Sequence, residues 1–118
     1  MESIQVVKAL AALAQETRLA VFRLLVVRGP EGLSAGVIGA RLGILPATLS
    51  FHLKELAGAR LIAARAQGRF VIYSADFRSM NELLYFLTQN CCGGNPCTPA
   101  ATSKSTGAKK MRKVGAEN

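Results

Sequence analysis

The chain has 118 residues, which allows one domain with a modest hydrophobic core and excludes larger architectures. Fifteen lysines and arginines outnumber seven aspartates and glutamates, and the resulting net charge of +8 favours a polyanionic partner such as a nucleic acid. Charge alone does not separate DNA from RNA or from an acidic membrane surface. Residues 1–97 carry ten basic and six acidic side chains, and residues 98–118 carry five basic and one acidic side chain. Half of the excess positive charge therefore lies in the tail.

No segment reaches the roughly 20 apolar residues of a membrane span, because Lys8, Arg18, Arg23 and Arg28 interrupt the hydrophobic N-terminal region. Glu2 and the missing basic leader also argue against a signal peptide. We therefore expect a cytoplasmic protein without a membrane partner. In that reducing compartment its cysteines would be thiolates or metal ligands.

Hydrophobic periodicity and capping residues predict five helices along the chain. The first is apolar on all sides, Thr17 and Ser34 are expected to cap the second and third, and Pro46 suits the first position of the fourth. Asp76 is expected to open the last helix. The first four helices are predicted at residues 4–14, 17–27, 35–42 and 46–60.

The third and fourth helices are short and are joined by a tight turn that contains Gly43, which is a helix-turn-helix pattern. Residues 61–66 and 69–75 then predict two strands that meet at Gln67 and Gly68 in a β-hairpin. The fold class predicted is therefore mainly α with a small β-hairpin, a winged helix-turn-helix. Residues 1–92 would form this domain, and residues 93–118 would form a flexible basic tail that begins with the Cys97 segment.

The fourth helix has an apolar side and a polar side. Leu49, Leu53 and Leu56 lie at positions i, i+4 and i+7, so they should face the core. The side chains that would then point outward are Ala47, Thr48, Ser50, Phe51 and Lys54. Short polar and basic side chains can read base edges in the major groove, and Phe51 could either contact a thymine methyl group there or pack on the wing.

Three stretches resemble the ArsR/SmtB-type metal-sensing repressors: residues 15–19 (QETRL), 46–56 (PATLSFHLKEL) and 65–73 (RAQGRFVIY). The resemblance covers about residues 4 to 92. It implies a homodimer built from the first and last helices that binds a near-palindromic double-stranded operator. The apolar residues Val6, Val7, Leu10 and Leu13 of the first helix would be available for that dimer, unless they are simply intramolecular core.

The resemblance also makes His52 a DNA-contacting or helix-orienting residue, with a half-buried histidine satisfied by the backbone as the alternative. Arg65 and Arg69 flank the expected wing tip, where arginines can reach phosphates or the minor groove. The alternative for both is ordinary solvated charge. The candidate DNA-binding residues are Thr48, Ser50, Phe51, His52, Lys54, Arg65 and Arg69.

Cys91, Cys92 and Cys97 are the only cysteines, and they lie together where the helical pattern gives way to the tail. Three is an odd number for a disulfide framework, and three sulfur donors suit thiophilic ions. The founding arsenic sensors of the family carry Cys-Val-Cys before the recognition helix, but residues 34–39 contain no cysteine, and the Asp and His residues of the zinc-type sites are also missing. The cluster instead resembles the C-terminal Cys-Cys plus downstream Cys of an arsenite-responsive subgroup.

Trivalent arsenic, as As(III), can exchange three hydroxyls for three thiolates, and Sb(III) shares its valence. Zinc would require a fourth ligand, whereas Cd, Pb and Hg also accept sulfur. Adjacent cysteines in a regular helix diverge by about 100°, so we expect three-sulfur binding to fray or rotate the end of the last helix and release the operator. A redox pair plus one spare thiol remains open, as does a sequence-independent DNA binder that relies on the tail. No catalytic constellation indicates an enzyme.

Overall fold

A computed structural model of the chain describes residues 1–94. Residues 1–87 form one compact unit, and residues 88–94 belong to a second unit. Cys97 and the predicted tail at 98–118 lie outside the described residues. The elements in chain order are α1 (Ser3–Leu13), α2 (Glu16–Arg28), β1 (Leu33–Ser34), α3 (Ala35–Leu42), α4 (Pro46–Gly58), β2 (Ile62–Gln67), β3 (Phe70–Ala75), α5 (Phe77–Thr88) and a 3₁₀ turn at Cys91–Gly94.

The predicted mainly helical fold with a hairpin is confirmed, and the helix-turn-helix lies at the predicted residues. The Ser34 hydroxyl accepts a hydrogen bond from the Val37 amide at 3.3 Å, which caps α3. Gly43 ends α3 in the left-handed conformation with φ of 68°, and Pro46 takes the first turn of α4.

Helices α1 and α2 differ from the prediction by one residue at each end, and α4 is two residues shorter than predicted. Helix α2 begins at Glu16 and is capped by Gln15 rather than by Thr17, because the Gln15 Oε1 accepts a hydrogen bond from the Arg18 amide at 2.8 Å. Helix α4 ends at Gly58 instead of 60, and Arg60 turns the chain with φ of +63°. Asp76 precedes α5, and its Oδ1 accepts a hydrogen bond from the Ser79 amide at 3.0 Å.

The sheet has three antiparallel strands in the order β1-β3-β2. In the hairpin Arg65 pairs with Ile72 and Gln67 pairs with Phe70, so the two-residue turn consists of Gly68 and Arg69, one residue later than predicted. The two-residue strand β1 was not predicted. Its pairing of Leu33 with Tyr73 ties the loop after α2 to the wing.

One hydrophobic core joins the helices to the base of the sheet. Its largest fully buried side chains come from α2, α3, α4 and the loop before β2: Val21, Leu25, Ile38, Leu49, Leu56 and Leu61. Burial of each such leucine or isoleucine contributes roughly 1.5–3 kcal/mol, so these residues fix how α4 sits on the body of the protein.

The first helix is divided between core and surface differently from the prediction. Val6 is buried in the core and Leu13 packs against it, so neither is available to a partner. Ile4, Val7 and Leu10 are the exposed apolar residues of α1, with Ile4 79% exposed. This helix therefore does present an apolar surface, which shares Val7 and Leu10 with the predicted one.

Candidate nucleic-acid interface and thiol site

The face of α4 that was expected to meet DNA is exposed. Leu49, Leu53 and Leu56 are buried as predicted, and their burial sets the rotation of the helix. The opposite side chains, all exposed, are Ala47, Thr48, Ser50, Phe51 and Lys54. The arrangement presents two hydroxyls, one ammonium group and one aromatic ring on a single surface, which is chemistry suited to base edges and phosphates.

The turn between α3 and α4 is tight and holds the two helices at a bend of 113°. A Cβ on Gly39 would lie 3.0 Å from the Ile44 carbonyl oxygen and 3.4 Å from the Leu49 side chain, so the close approach of the helices requires a small residue there. Within residues 1–94, no single helix is long and apolar enough to cross a membrane, and α3 and α4 reach that length only when they are taken together across this bend.

Phe51 is 55% exposed on this surface. Its ring makes an edge contact with the His52 ring, with centroids 5.5 Å apart and an interplanar angle of 62°. A large apolar side chain left half in water by the fold is a candidate for contact with a partner.

His52 occupies a different position from the one expected of a DNA contact. It is only 8% exposed, on the side of α4 that faces the core, so its ring does not line the exposed surface of the free protein, and the DNA contact stays a prediction. Its Nδ1 lies 3.4 Å from the Arg18 Nη1, so its partner is a side chain and not the backbone. This position agrees with the helix-orienting alternative.

Arg65 and Arg69 also differ from each other. Arg65 pairs with Ile72 and lies away from the tip, and its guanidinium donates hydrogen bonds to the carbonyl oxygens of Pro30 at 3.3 Å and Glu31 at 2.8 Å. It therefore fastens the wing to the loop after α2, which corrects its predicted place at the tip. Arg69 lies in the turn itself and is exposed.

Sequence reasoning missed two exposed apolar residues beside that tip. Phe70 is 64% exposed and Val71 is 47% exposed, and they are the next two residues after Arg69. Apolar side chains next to a basic tip can contact sugars and base edges in a minor groove. The signal in the sequence that could have found them is the Gly-Arg-Phe order at a predicted turn.

Two terminal helices present apolar surface. On α5 the inner residues Phe77, Met80 and Leu83 pack into or against the core. The exposed residues are Leu84, Tyr85 and Leu87 on α5, and Ile4, Val7 and Leu10 on α1. Leu84 and Leu87 are both more than half exposed, so this helix has apolar side chains on its surface as well as in the core.

The two described cysteines lie in the 3₁₀ turn after α5, which ends at Thr88. Their Sγ atoms are 3.6 Å apart, well beyond the roughly 2.05 Å of a disulfide, and both side chains are exposed. Two sulfurs bound to one ion at about 2.3 Å, with an angle of roughly 90–109° between them, are about 3.3–3.8 Å apart. The observed distance falls in that interval.

The change at the end of the last helix that three-sulfur binding is expected to cause stays a prediction, and the turn by itself already brings the Cys91 and Cys92 sulfurs together. The chain has already left the α-helix, since Asn90 has φ of 60° and Cys92 has φ of 55° and ψ of 37°. Within residues 1–94, no group of three or more His, Cys, Asp or Glu side chains is placed to hold a metal ion. The third predicted ligand, Cys97, lies beyond these residues.

Comparison with known proteins gives consistent matches. Residues 13–65 match the model of a helix-turn-helix domain. The uncharacterized HTH-type transcriptional regulator YceK of Bacillus subtilis is 45% identical over 58 residues, which is 49% of this chain and 57% of that protein. The chain thus spans little more than half the length of this curated relative.

Two solved structures extend the match. HlyU from Vibrio cholerae N16961 is 31% identical, with a TM-score of 0.57, and the match covers 74% of this chain and 97% of HlyU. An ArsR-like transcriptional regulator from Rhodococcus sp. RHA1 is 26% identical, with a TM-score of 0.66, over 73% of this chain and 78% of that one. With its buried α4 leucines, exposed α4 face and β-hairpin wing, this chain has the winged helix-turn-helix fold of the transcriptional regulators that it resembles, among them an ArsR-like one.

Proposed function

We propose that this protein is a repressor that binds a near-palindromic operator as a homodimer and leaves it when As(III) or Sb(III) binds the thiolates of Cys91, Cys92 and Cys97. The observation that carries the proposal is the 3.6 Å separation of the Cys91 and Cys92 Sγ atoms in a chain with the fold of an ArsR-like regulator. A pair of exposed thiols at the spacing of ion-bound sulfurs is a reason to assign the effector to this end of the chain.

The DNA-binding part of the proposal rests on α4 and the wing. Thr48, Ser50, Phe51 and Lys54 would enter the major groove, and Arg69 would reach a phosphate or the adjacent minor groove. All five side chains are exposed, and the net charge of +8 favours attachment to the phosphate backbone.

The dimer would bury the exposed apolar surface of the terminal helices. Ile4 and Val7 on α1 and Leu84 and Leu87 on α5 are all more than half exposed, at 79%, 64%, 53% and 54%. Covering such side chains is favourable by about 25 cal/mol per Å² of apolar surface. A two-fold dimer would place two recognition helices about 34–36 Å apart, one turn of DNA, which requires an operator with matching symmetry.

The effector chemistry follows from the thiols. Uncharged arsenous acid, As(OH)₃, reacts with three thiols to form three As–S bonds and release three water molecules, and no charge has to be balanced. The Cys91 and Cys92 sulfurs are 3.6 Å apart, which fits the spacing of two sulfurs bound to one ion, and Cys97 would supply the third. A coupling free energy of about 1–3 kcal/mol between this site and α4 gives 5- to 150-fold weaker operator binding.

The test is a titration of the reduced protein onto its own promoter DNA at fixed salt, with and without arsenite. Cys91→Ser, Cys92→Ser and Cys97→Ser should each bind DNA normally and lose the arsenite response. Gln89→Asn, an exposed neighbour that leaves every thiol in place, serves as the matched control and should respond like the wild type.

Other results identify other functions. A response that survives Cys97→Ser contradicts the three-thiolate site, and release by peroxide in place of arsenite indicates a redox-sensing repressor. Release by Cd, Pb or Hg alone indicates a soft-metal sensor. Binding that is independent of DNA sequence and is abolished by deletion of residues 98–118 indicates a non-specific DNA-binding protein.

A further inference from the structure

A single guanidinium group links the first helix to the buried side of α4. The Arg18 Nε donates a hydrogen bond to the Ala12 carbonyl oxygen at 2.7 Å, in the last turn of α1. The Nη1 of the same group is 3.4 Å from the Nδ1 of His52. Because a guanidinium only donates, this contact is a hydrogen bond when the imidazole Nδ1 accepts, which is the case in the tautomer that carries its proton on Nε2.

The position of Arg18 is itself fixed from its backbone. It lies in the first turn of α2, where its amide donates to the Gln15 Oε1 at 2.8 Å. The guanidinium is planar and rigid, so its Nε and Nη1 hold their two acceptors at a set distance and direction from each other. Displacement of the α1 end by a fraction of an ångström must therefore stretch one of these hydrogen bonds or move His52.

His52 passes any such movement to the exposed surface of α4. Its ring is buried, and its neighbour Phe51 contacts it edge-on while remaining 55% exposed. A continuous series of contacts therefore connects the Ala12 carbonyl oxygen to Arg18, His52 and the Phe51 ring. Ala12 belongs to α1, the helix whose exposed apolar residues are assigned to the dimer.

We propose that Arg18 is a positioning residue that sets the angle of the recognition helix from the end of the dimer helix, acting through the Nδ1 of His52. This inference rests on the proposed operator-binding function and adds to it a physical connection between the dimer and the DNA surface. Arg18 does not touch DNA in this role, because its guanidinium is used inside the fold.

The contact can be tested first without DNA. His52 is the only histidine in the chain, so its imidazole ¹⁵N resonances do not overlap with those of another imidazole and are assigned at once. Arg18→Lys should shift the Nδ1 resonance, since a single ammonium cannot donate along both directions of the guanidinium. Arg23→Lys, a change at an exposed arginine of the same helix, should leave it unchanged.

Measurements of operator binding then distinguish a role of Arg18 in positioning α4 from a role in stabilising the fold. His52→Asn keeps an acceptor atom at the δ position but loses the ring that contacts Phe51, so it should weaken binding less than His52→Gln does. His52→Gln moves its amide to the ε position and should weaken binding about tenfold, as should Arg18→Lys. The double variant Arg18→Lys with His52→Gln should be no worse than either single one, because both remove the same contact.

The outcomes are distinct for the two proposals. Wild-type protein that does not bind its promoter refutes the proposed function and, with it, the positioning role. If the wild-type protein binds its promoter and Arg18→Lys binds equally well, only the positioning role is refuted. The same holds if Arg18→Lys leaves the Nδ1 resonance unchanged. Additive effects in the double variant, or equal weakening by His52→Asn and His52→Gln, also overturn it.

Discussion

The two arginines of the wing should differ in how they affect the salt dependence of operator binding. Arg69 lies at the exposed tip, and removing one phosphate interaction with double-stranded DNA reduces the slope of log K against log salt by about 0.9. A dimer carries two copies of Arg69, so Arg69→Ala should make the slope shallower by about 1.8. Arg65 is already bound to two carbonyl oxygens, and Arg65→Ala should leave the slope close to that of the wild type.

The assay is fluorescence anisotropy with labelled operator DNA between about 50 and 200 mM salt, a range over which the slope difference of about 1.8 amounts to roughly a 12-fold change in relative affinity. Arg69→Lys keeps the charge and is the matched control, with a slope like the wild type. Arg65→Ala should instead lower the free energy of unfolding by about 0.5–2 kcal/mol, since its two hydrogen bonds are exposed to solvent. An Arg65→Ala slope as shallow as that of Arg69→Ala would refute the assignment of the two roles.

Four further substitutions test the packing and the surface. Phe51→Ala should weaken operator binding by about 1–3 kcal/mol while changing the free energy of unfolding by no more than about 0.5 kcal/mol. Replacing operator thymines with uracil should weaken DNA binding by the wild-type protein but not by the Phe51→Ala variant. Gly32→Ala should lower the free energy of unfolding by about 2–5 kcal/mol in urea, because Gly32 has φ of +71° and an added Cβ would collide with the Tyr73 carbonyl oxygen. Gly36→Ala in α3 is the control: it should raise the free energy of unfolding by about 0.5–1 kcal/mol, because nothing lies near the added Cβ. Leu56→Ala should lower the free energy of unfolding by about 2–5 kcal/mol in the same assay because the side chain is fully buried. A smaller decrease would show that the core closes around the gap.

Much of the helix-turn-helix could be predicted because its signals are local. The cap at Ser34, the left-handed Gly43 and the N-terminal Pro46 act within a few residues of themselves, and the leucines of α4 repeat at the period of the helix. The exposed face of α4 follows from that period alone.

The errors came from contacts between distant parts of the chain. Arg65 is held by carbonyl oxygens 34 and 35 residues away, and His52 is held by a side chain 34 residues away, so no local pattern reports either role. The short strand β1 exists only because β3 pairs with it. The approach of the two cysteine sulfurs depends on backbone angles at Asn90 and Cys92 that residue type does not dictate.

The two-residue turn of the wing limits how this surface can change in length. Each cross-strand pair, from Ile62 with Ala75 to Gln67 with Phe70, puts its two side chains on one face of the hairpin. One residue inserted within β2 would move Arg65 to the opposite face and detach the wing from the loop after α2. Residues inserted between Gly68 and Arg69 would leave every pair intact, so a longer or shorter reach toward DNA can arise at the tip without disturbing the anchor.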